Sequence, residues 1–290
     1  MEKILRYDAP ATIFEEALPI GNGSLGAMIY ADTEFDKITI NHDTLWSGKP
    51  GHNSNPRAKE SFLRAQALVG EGKYHDAQVE LEENFTNMWL NSYLVLGELY
   101  IKSEGGKYEN YNRILDLENS IVRAAYTQNG IAFEREYFVS YPDNCLMVRI
   151  KSSKGGSFVL SGSHIGKSHT TAGDTELYFT FEAPTTIGPE YAAKERPVTY
   201  DGESVKASAL ARVKTNGSVD TEGDALYIKD STGLIVYFCA ETSFIDVHTM
   251  PNKPTFAPCR DRMNALYEKS YEEIKKAHVE DVSALFNRVQ

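Results

Sequence analysis

Between Tyr93 and Phe244 short apolar runs alternate with Gly, Asn, Asp and Ser, and no helical periodicity interrupts them. Alternation of this kind puts successive side chains on opposite faces of a pleated strand. The pattern marks about ten strands. The clearest are Leu94 to Ile101, Arg113 to Leu117, Ile121 to Tyr126, Ile131 to Val139, Cys145 to Ile150, Glu176 to Phe181, Ala207 to Val213, Ala225 to Ile228 and Leu234 to Ala240. Parallel pairing needs long crossover connections, usually helical, and this region offers none. The strands must therefore pair antiparallel, in a sandwich or barrel rather than a doubly wound sheet. Gln128-Asn129-Gly130 and Thr215-Asn216-Gly217 carry the residues that tight hairpin turns demand. The stretch from Ser161 to Ser204 is rich in Gly, Ser, Thr and Pro and reads mainly as long loops between strand groups.

The flanks differ in type. Leu18 to Met28 reads Leu-Pro-Ile-Gly-Asn-Gly-Ser-Leu-Gly-Ala-Met, a turn feeding a strand, with Ala27 to Ala31 expected to pair with Lys37 to Asn41. Pro56 suits the first position of a helix along which Phe62, Ala65, Leu68 and Val69 recur, and a second helix is expected from Lys73 to about Asn84. Near the C-terminus, Met263, Leu266, Tyr267, Ser270, Tyr271, Ile274 and His278 form one helical stripe, and Val282, Leu285, Phe286 and Val289 begin another. The second stripe runs to the last residues without a cap, which raises the expectation of a polypeptide continuing past Gln290.

Charge excludes one class of partner. The 290 residues hold 30 Lys+Arg against 41 Asp+Glu, a net charge of −11 that repels phosphate backbones and anionic lipid surfaces. Neither a signal peptide nor a run of about 18 apolar residues is present, so a cytoplasmic protein with no membrane contact is expected. Cys145, Cys239 and Cys259 are odd in number and widely spaced, which indicates neither a disulfide framework nor a zinc cluster.

One segment concentrates groups suited to binding chemistry. Asn41-His42-Asp43-Thr44-Leu45-Trp46-Ser47-Gly48 sets hydrogen-bonding side chains beside an indole. A pyranose has polar edges for Asn, Asp and His and a C–H face that an indole can cover. The other reading is local: Asp43 and Thr44 cap a turn while Trp46 anchors the helices. His42, His52 and His75 lack metal-ligand spacing. Ser24 lacks the G-x-S-x-G spacing of a nucleophile elbow, and the nearby glycines lack the Lys-Ser/Thr of a phosphate loop. Glycoside cleavage requires two carboxylates about 5–9.5 Å apart. Glu134 and Glu136 share a strand face, but like charges at that spacing read as a solvated surface.

Taken together, these motifs resemble the N-terminal domain of glycoside hydrolase family 95, the α-L-fucosidases and related α-L-galactosidases. The similar segments are 18–28, Asn-His-Asp-Thr-Leu-Trp-Ser-Gly at 41–48, Asn55-Pro56, Tyr93 to Leu99, Tyr108 to Leu117, Arg135 to Asp143, Thr242 to Phe244, and His278 to Asp281 with Leu285 to Val289. The resemblance implies a mainly β fold, a large antiparallel β-super-sandwich over 1–258 with a helical insert at about 56–84. It also implies that 259–290 begin a helical linker toward an (α/α)6 barrel, and that this barrel holds the inverting acid and base. No catalytic residue is then expected in this chain, which would need neither metal nor cofactor. Its own barrel, and through it a fucosylated or galactosylated oligosaccharide, are the implied partners, with Asn41, Asp43, Thr44 and Trp46 at the rim of the sugar pocket. A free-standing carbohydrate-binding sandwich and an independent hydrolase are the competing readings. A face built to meet a barrel promotes association when uncovered, so a homodimer of the chain alone is a further expectation.

Overall fold

The computed structural model describes residues 3–51, 55–85, 90–163, 167–188, 194 and 197–289. Among them, fourteen strands form one antiparallel sheet. They are β1 Ile4–Tyr7, β2 Leu18–Gly21, β3 Leu25–Ile29, β4 Phe35–Trp46, β5 Tyr93–Ser103, β6 Tyr108–Asp116, β7 Ile121–Gln128, β8 Ile131–Ser140, β9 Cys145–Ser163, β10 Lys167–Gly173, β11 Glu176–Glu182, β12 Lys206–Thr215, β13 Ser218–Glu222 and β14 Ala225–Thr242. Helices α1 Ala58–Gly70 and α2 Tyr74–Glu80, the latter continued by a π-helical turn Leu81–Phe85, lie between β4 and β5. Helices α3 Phe256–Tyr267 and α4 Tyr271–Phe286 follow β14.

The 19-residue β9 shapes the sheet. Its first part pairs with β8, from Ser140↔Cys145 to Phe133↔Ser152, and its last part pairs with β5, from Ser103↔Phe158 to Glu98↔Ser163. The opposite edge of β9 pairs with β14 on both sides of an irregularity near Gly156. Two groups of strands, β8-β7-β6-β1 and β5-β4-β3-β2, thus leave the same edge of one strand. They separate into facing layers, and the sheet curls over on itself.

Side-chain alternation fills both sides of the larger layer. On β14, Leu234, Val236, Phe238 and Ala240 point into the core between the layers, while Tyr237 and Cys239 face α3 and α4. On β9, Leu146, Val148 and Ile150 point inward, and Cys145 and Met147 outward. Met263, Leu266, Tyr271 and Ile274 of the helices complete this second core. Each such fully buried side chain contributes about 1.5–3 kcal/mol through removal from water.

A charged pair lies inside the first core. Arg135 of β8 and Asp36 of β4 are both fully buried, with Nη1 3.1 Å from Oδ2. The guanidinium also donates to the carbonyls of Asp32 and Thr33, and the Tyr137 hydroxyl donates to Asp36 Oδ2 at 2.5 Å. These bonds join the two layers. Burial pushes the Asp36 carboxyl up, against the opposing pull of Arg135 and Tyr137.

Several expectations are corrected. Ala225 to Ile228 and Leu234 to Ala240 are the two ends of a single strand, β14, whose register slips around Ser231. Asn216-Gly217 makes no hairpin, because β12 and β13 run one after the other along the same edge of β14. Instead, Asn216 Oδ1 accepts from the amides of Thr232 (3.1 Å) and Gly233 (3.2 Å), groups freed by that slip. Asn129 and Gly130 do form a hairpin turn, both at positive φ (53° and 74°). Within 161–204, the strand expected at Glu176 to Phe181 is β11, and β10 pairs with it in a hairpin where loop was expected. Pro56 lies in the turn before α1 rather than in its first position.

The C-terminal stripe is also divided differently. Ser270 starts a new helix through a capping box: its hydroxyl accepts from the Glu273 amide, and the Glu273 carboxylate accepts from the Ser270 amide. Such a box stabilises a helix start by about 1 kcal/mol. α4 then ends at Phe286.

Asp36→Asn should lower stability by about 3–5 kcal/mol in a denaturant titration, because it leaves a buried guanidinium without its counter-charge. His278 supplies a pH test. It is buried against Phe138, with Nε2 2.8 Å from the Asn119 carbonyl, and burial lowers its pKa below 6.5. The unfolded chain therefore takes up this proton first as pH falls, so the contribution present above pH 6.5 is lost below it. In urea titrations His278→Gln should show a shallower loss of stability below that pH.

Candidate functional site

The segment 41–48 sits where β4 departs from regular pairing. β4 and β5 stay in register from Phe35↔Lys102 to Ile40↔Gly97; Asn41 then opposes Val95, and the next partners are Trp46 and Tyr93. Four residues, His42 to Leu45, thus span the place of one on β5. Local hydrogen bonds hold this irregularity. The Asp43 amide donates to the Ser24 carbonyl at 2.9 Å, and the Trp46 indole N–H donates to the Asp43 carbonyl at 2.9 Å. Leu45 is fully buried in the core, and the neighbouring Trp46 indole faces outward, 43% exposed. Its ring packs against Tyr93 at 5.1 Å between centroids.

Beyond Trp46 the backbone is held on two sides. The Ser47 amide donates to the Ser92 carbonyl, the Gly48 amide donates to the Pro184 carbonyl at 2.7 Å, and the Gly48 carbonyl accepts from Val205. Gly48 has φ of 68°, and a Cβ there would lie 3.1 Å from the Thr185 carbonyl oxygen, so no larger residue fits without displacement. The result is a cleft of about 690 Å³. One wall is Trp46 to Gly51, the opposite wall Thr185, Thr186 and Gly202 to Val205, and Leu90, Asn91, Thr44, Phe244 and Val247 close the remainder.

The four sequence candidates divide. Thr44 and Trp46 line the cleft. Thr44 Oγ1 also lies 2.6 Å from Thr242 Oγ1 at the end of β14 and 3.0 Å from His42 Nδ1, so the wall is tied to the larger layer. Asp43 holds the indole through its carbonyl, while its carboxylate receives the Ser24 hydroxyl at 3.3 Å and lies 3.0 Å from His42 Nδ1. Asn41 donates toward the Leu94 carbonyl at 3.4 Å and does not line the cleft. Burial lowers the His42 pKa, with the Asp43 and Glu241 carboxylates opposing it. Glu241 in turn pairs with Lys253 at 3.0 Å and with Arg262.

The walls from 185–186 and 202–205 carry no motif, Phe244 ends the family-like segment Thr242 to Phe244, and only folding brings these walls to Trp46. Hydroxyls, a carboxylate at Glu203 and an exposed indole beside apolar Leu90 and Val247 suit a ligand with both hydroxyls and C–H faces. Among the described residues no three His, Cys, Asp or Glu side chains gather as metal ligands.

The carboxylates of β8 divide: the solvated-surface reading holds for Glu134 and fails for Glu136. Glu134 is exposed, but Glu136 is buried under α4, within 3.0 Å of Arg123, Arg149 and Lys275 and 2.5 Å from the Tyr271 hydroxyl. Burial alone would raise its pKa, but Lys275, Tyr271 and Arg149 together hold the carboxyl below its usual range. Alternation put Glu136 on the outer face, and the strand pattern held no sign that α4 covers it.

Over 303 residues the chain is 27% identical to Alpha-L-fucosidase 2 of Arabidopsis thaliana, covering 98% of this chain and 36% of the relative. It is 25% identical to the "Probable alpha-fucosidase A" of Aspergillus niger, covering 99% of this chain and 37% of that one. The chain thus spans little more than a third of the length of the curated relatives it matches. A solved structure of a candidate kojibiose phosphorylase from the human microbiome superposes with a TM-score of 0.52 at 11% identity, over 97% of this chain and 38% of the other, which shows a shared fold. The family model described as "Glycosyl hydrolase family 65, N-terminal domain" matches residues 5–246. With that match spanning the curled sheet from β1 to the end of β14, the chain belongs to the family of glycosyl hydrolase family 65 N-terminal domains.

Proposed function

We propose that this chain is the non-catalytic N-terminal domain of an inverting glycoside hydrolase of the α-L-fucosidase type, similar to family 95, and that its cleft borders the sugar pocket of a separate catalytic barrel. The observation that carries the reading is the Trp46 indole. It is half-exposed, yet fixed by its own N–H, by Tyr93 and by the buried Leu45 before it. A core anchor would bury this ring, and a ring left to solvent by chance would lack such bracing. Held beside a cleft with hydroxyl-bearing walls, it offers a flat apolar surface to a pyranose without losing side-chain entropy on binding. Thr44 and Trp46 are the residues proposed to face sugar, with Asp43 positioning the indole.

The carboxylates support a division of labour. Glycoside hydrolysis of the inverting kind needs an acid and a base with room for water between them. The buried Glu136 is enclosed by cations that keep it ionised, which does not suit proton donation. Two α-fucosidase relatives nearly three times as long leave ample chain for a catalytic domain elsewhere. The exposed Leu90 and Val247 at the cleft mouth are the surface proposed to pack on it.

The purified chain should show no turnover of nitrophenyl α-L-fucoside or α-galactoside above buffer. Turnover abolished by Glu134→Gln or Glu136→Gln would overturn the reading in favour of an independent hydrolase. In an enzyme carrying this domain with its barrel, Trp46→Ala should lower kcat/KM about tenfold, or about 1.4 kcal/mol, with the melting temperature nearly unchanged. Unchanged kinetics would remove the sugar role from Trp46. Tight sugar binding by the chain alone, lost in Trp46→Ala, would favour a free-standing carbohydrate-binding sandwich.

A further inference from the structure

Two of the three cysteines, 20 residues apart in sequence, meet at the seam between the larger layer and α3. Cys239 Sγ on β14 lies 3.6 Å from Cys259 Sγ on α3. Each thiol is also turned toward the other residue's carbonyl oxygen, at 3.5 and 3.6 Å. Both residues are fully buried among Leu210, Tyr237 and Met263, in one apolar cluster.

We propose that Cys239 and Cys259 are a disulfide-forming pair. Closure to a bond of about 2.05 Å asks each sulfur to move by less than about 1 Å, within reach of small side-chain rotations. A low-molecular-weight disulfide such as oxidised glutathione supplies the oxidising equivalents. One protein thiolate attacks a glutathione sulfur, forming a mixed disulfide and releasing one glutathione thiolate. The second protein thiolate then attacks the protein sulfur of that mixed disulfide and releases the other. Two protein thiols lose two protons and two electrons, and one glutathione disulfide becomes two glutathione molecules. Because both sulfurs are shielded, exchange takes place during folding or when α3 lifts from the sheet, not in the closed native state.

The bond has a consequence for the cleft. The ring it closes, residues 239–259, contains Thr242, which holds Thr44, as well as Phe244 and Val247 of the cleft wall. Oxidation therefore tethers that wall to the β14–α3 seam at both ends and restricts the unfolded chain. The pairing stands on the cysteine geometry alone and is independent of any sugar at Trp46.

The test is to refold the chain from guanidinium in oxidised glutathione with a trace of the reduced form, and in dithiothreitol as control. With oxidised glutathione, free thiols titrated in denaturant should fall from three to one. The protein should be lighter by two hydrogens, a non-reduced digest should link the peptides holding Cys239 and Cys259, and the melting temperature should rise by several degrees. Cys145→Ser should keep that response and Cys259→Ser should abolish it. Should Cys259→Ser fail to fold, the wild-type peptide map decides alone. Three free thiols after oxidative refolding, glutathione adducts without a protein disulfide, or a linkage through Cys145 would overturn the proposal.

Discussion

One strand serving two layers is the constraint on which this structure rests. A strand edge offers a single row of amide and carbonyl groups, and along β9 that row is shared between β8 and β5. Strands that leave one edge from successive segments cannot all continue in the same plane, so the groups they lead must diverge and face each other. Two consequences follow. Apolar side chains of both groups meet in a common core, and polar groups caught between the layers must find partners there.

Arg135 and Asp36 show how that requirement is met. Arg135 sits in a strand at an inward position, where its charge would be costly without compensation. The opposite layer provides a carboxylate and two carbonyls at hydrogen-bonding distance. The pair is fully desolvated, so it adds less net stability than specificity: with the layers out of register the guanidinium would lose these partners. The same logic holds outside the sheet, where Glu136 is buried by α4 only because Lys275 and Tyr271 arrive with the helix to satisfy it.

The candidate site depends on this architecture at two points. An irregularity in β4 turns Trp46 outward while Leu45 remains in the core. The Thr44–Thr242 contact then ties that turn to the end of β14, which is itself braced by α3 through Glu241 and Arg262. A cleft bordered by segments as distant as Gly48, Thr185 and Phe244 is held by bonds between those segments: Gly48 to Pro184 and Val205, Thr185 to Thr199, and Ser243 to Lys206 at the start of β12.

Periodicity and turn chemistry suffice for what is local: the alternating runs, the Asn129-Gly130 hairpin, the pairing of β3 with β4, the two early helices and the conjunction of Trp46 with polar neighbours. These are legible because strand faces and turns are set by residues adjacent in sequence. Asn216, Glu136, the walls opposite Trp46 and the meeting of Cys239 with Cys259 were not legible, since their meaning comes from partners that arrive only when a continuous sheet curls and a helix closes over it. A side chain's alternation states which face it takes. What covers that face is decided by the long-range register of β9, and no short window of sequence contains it.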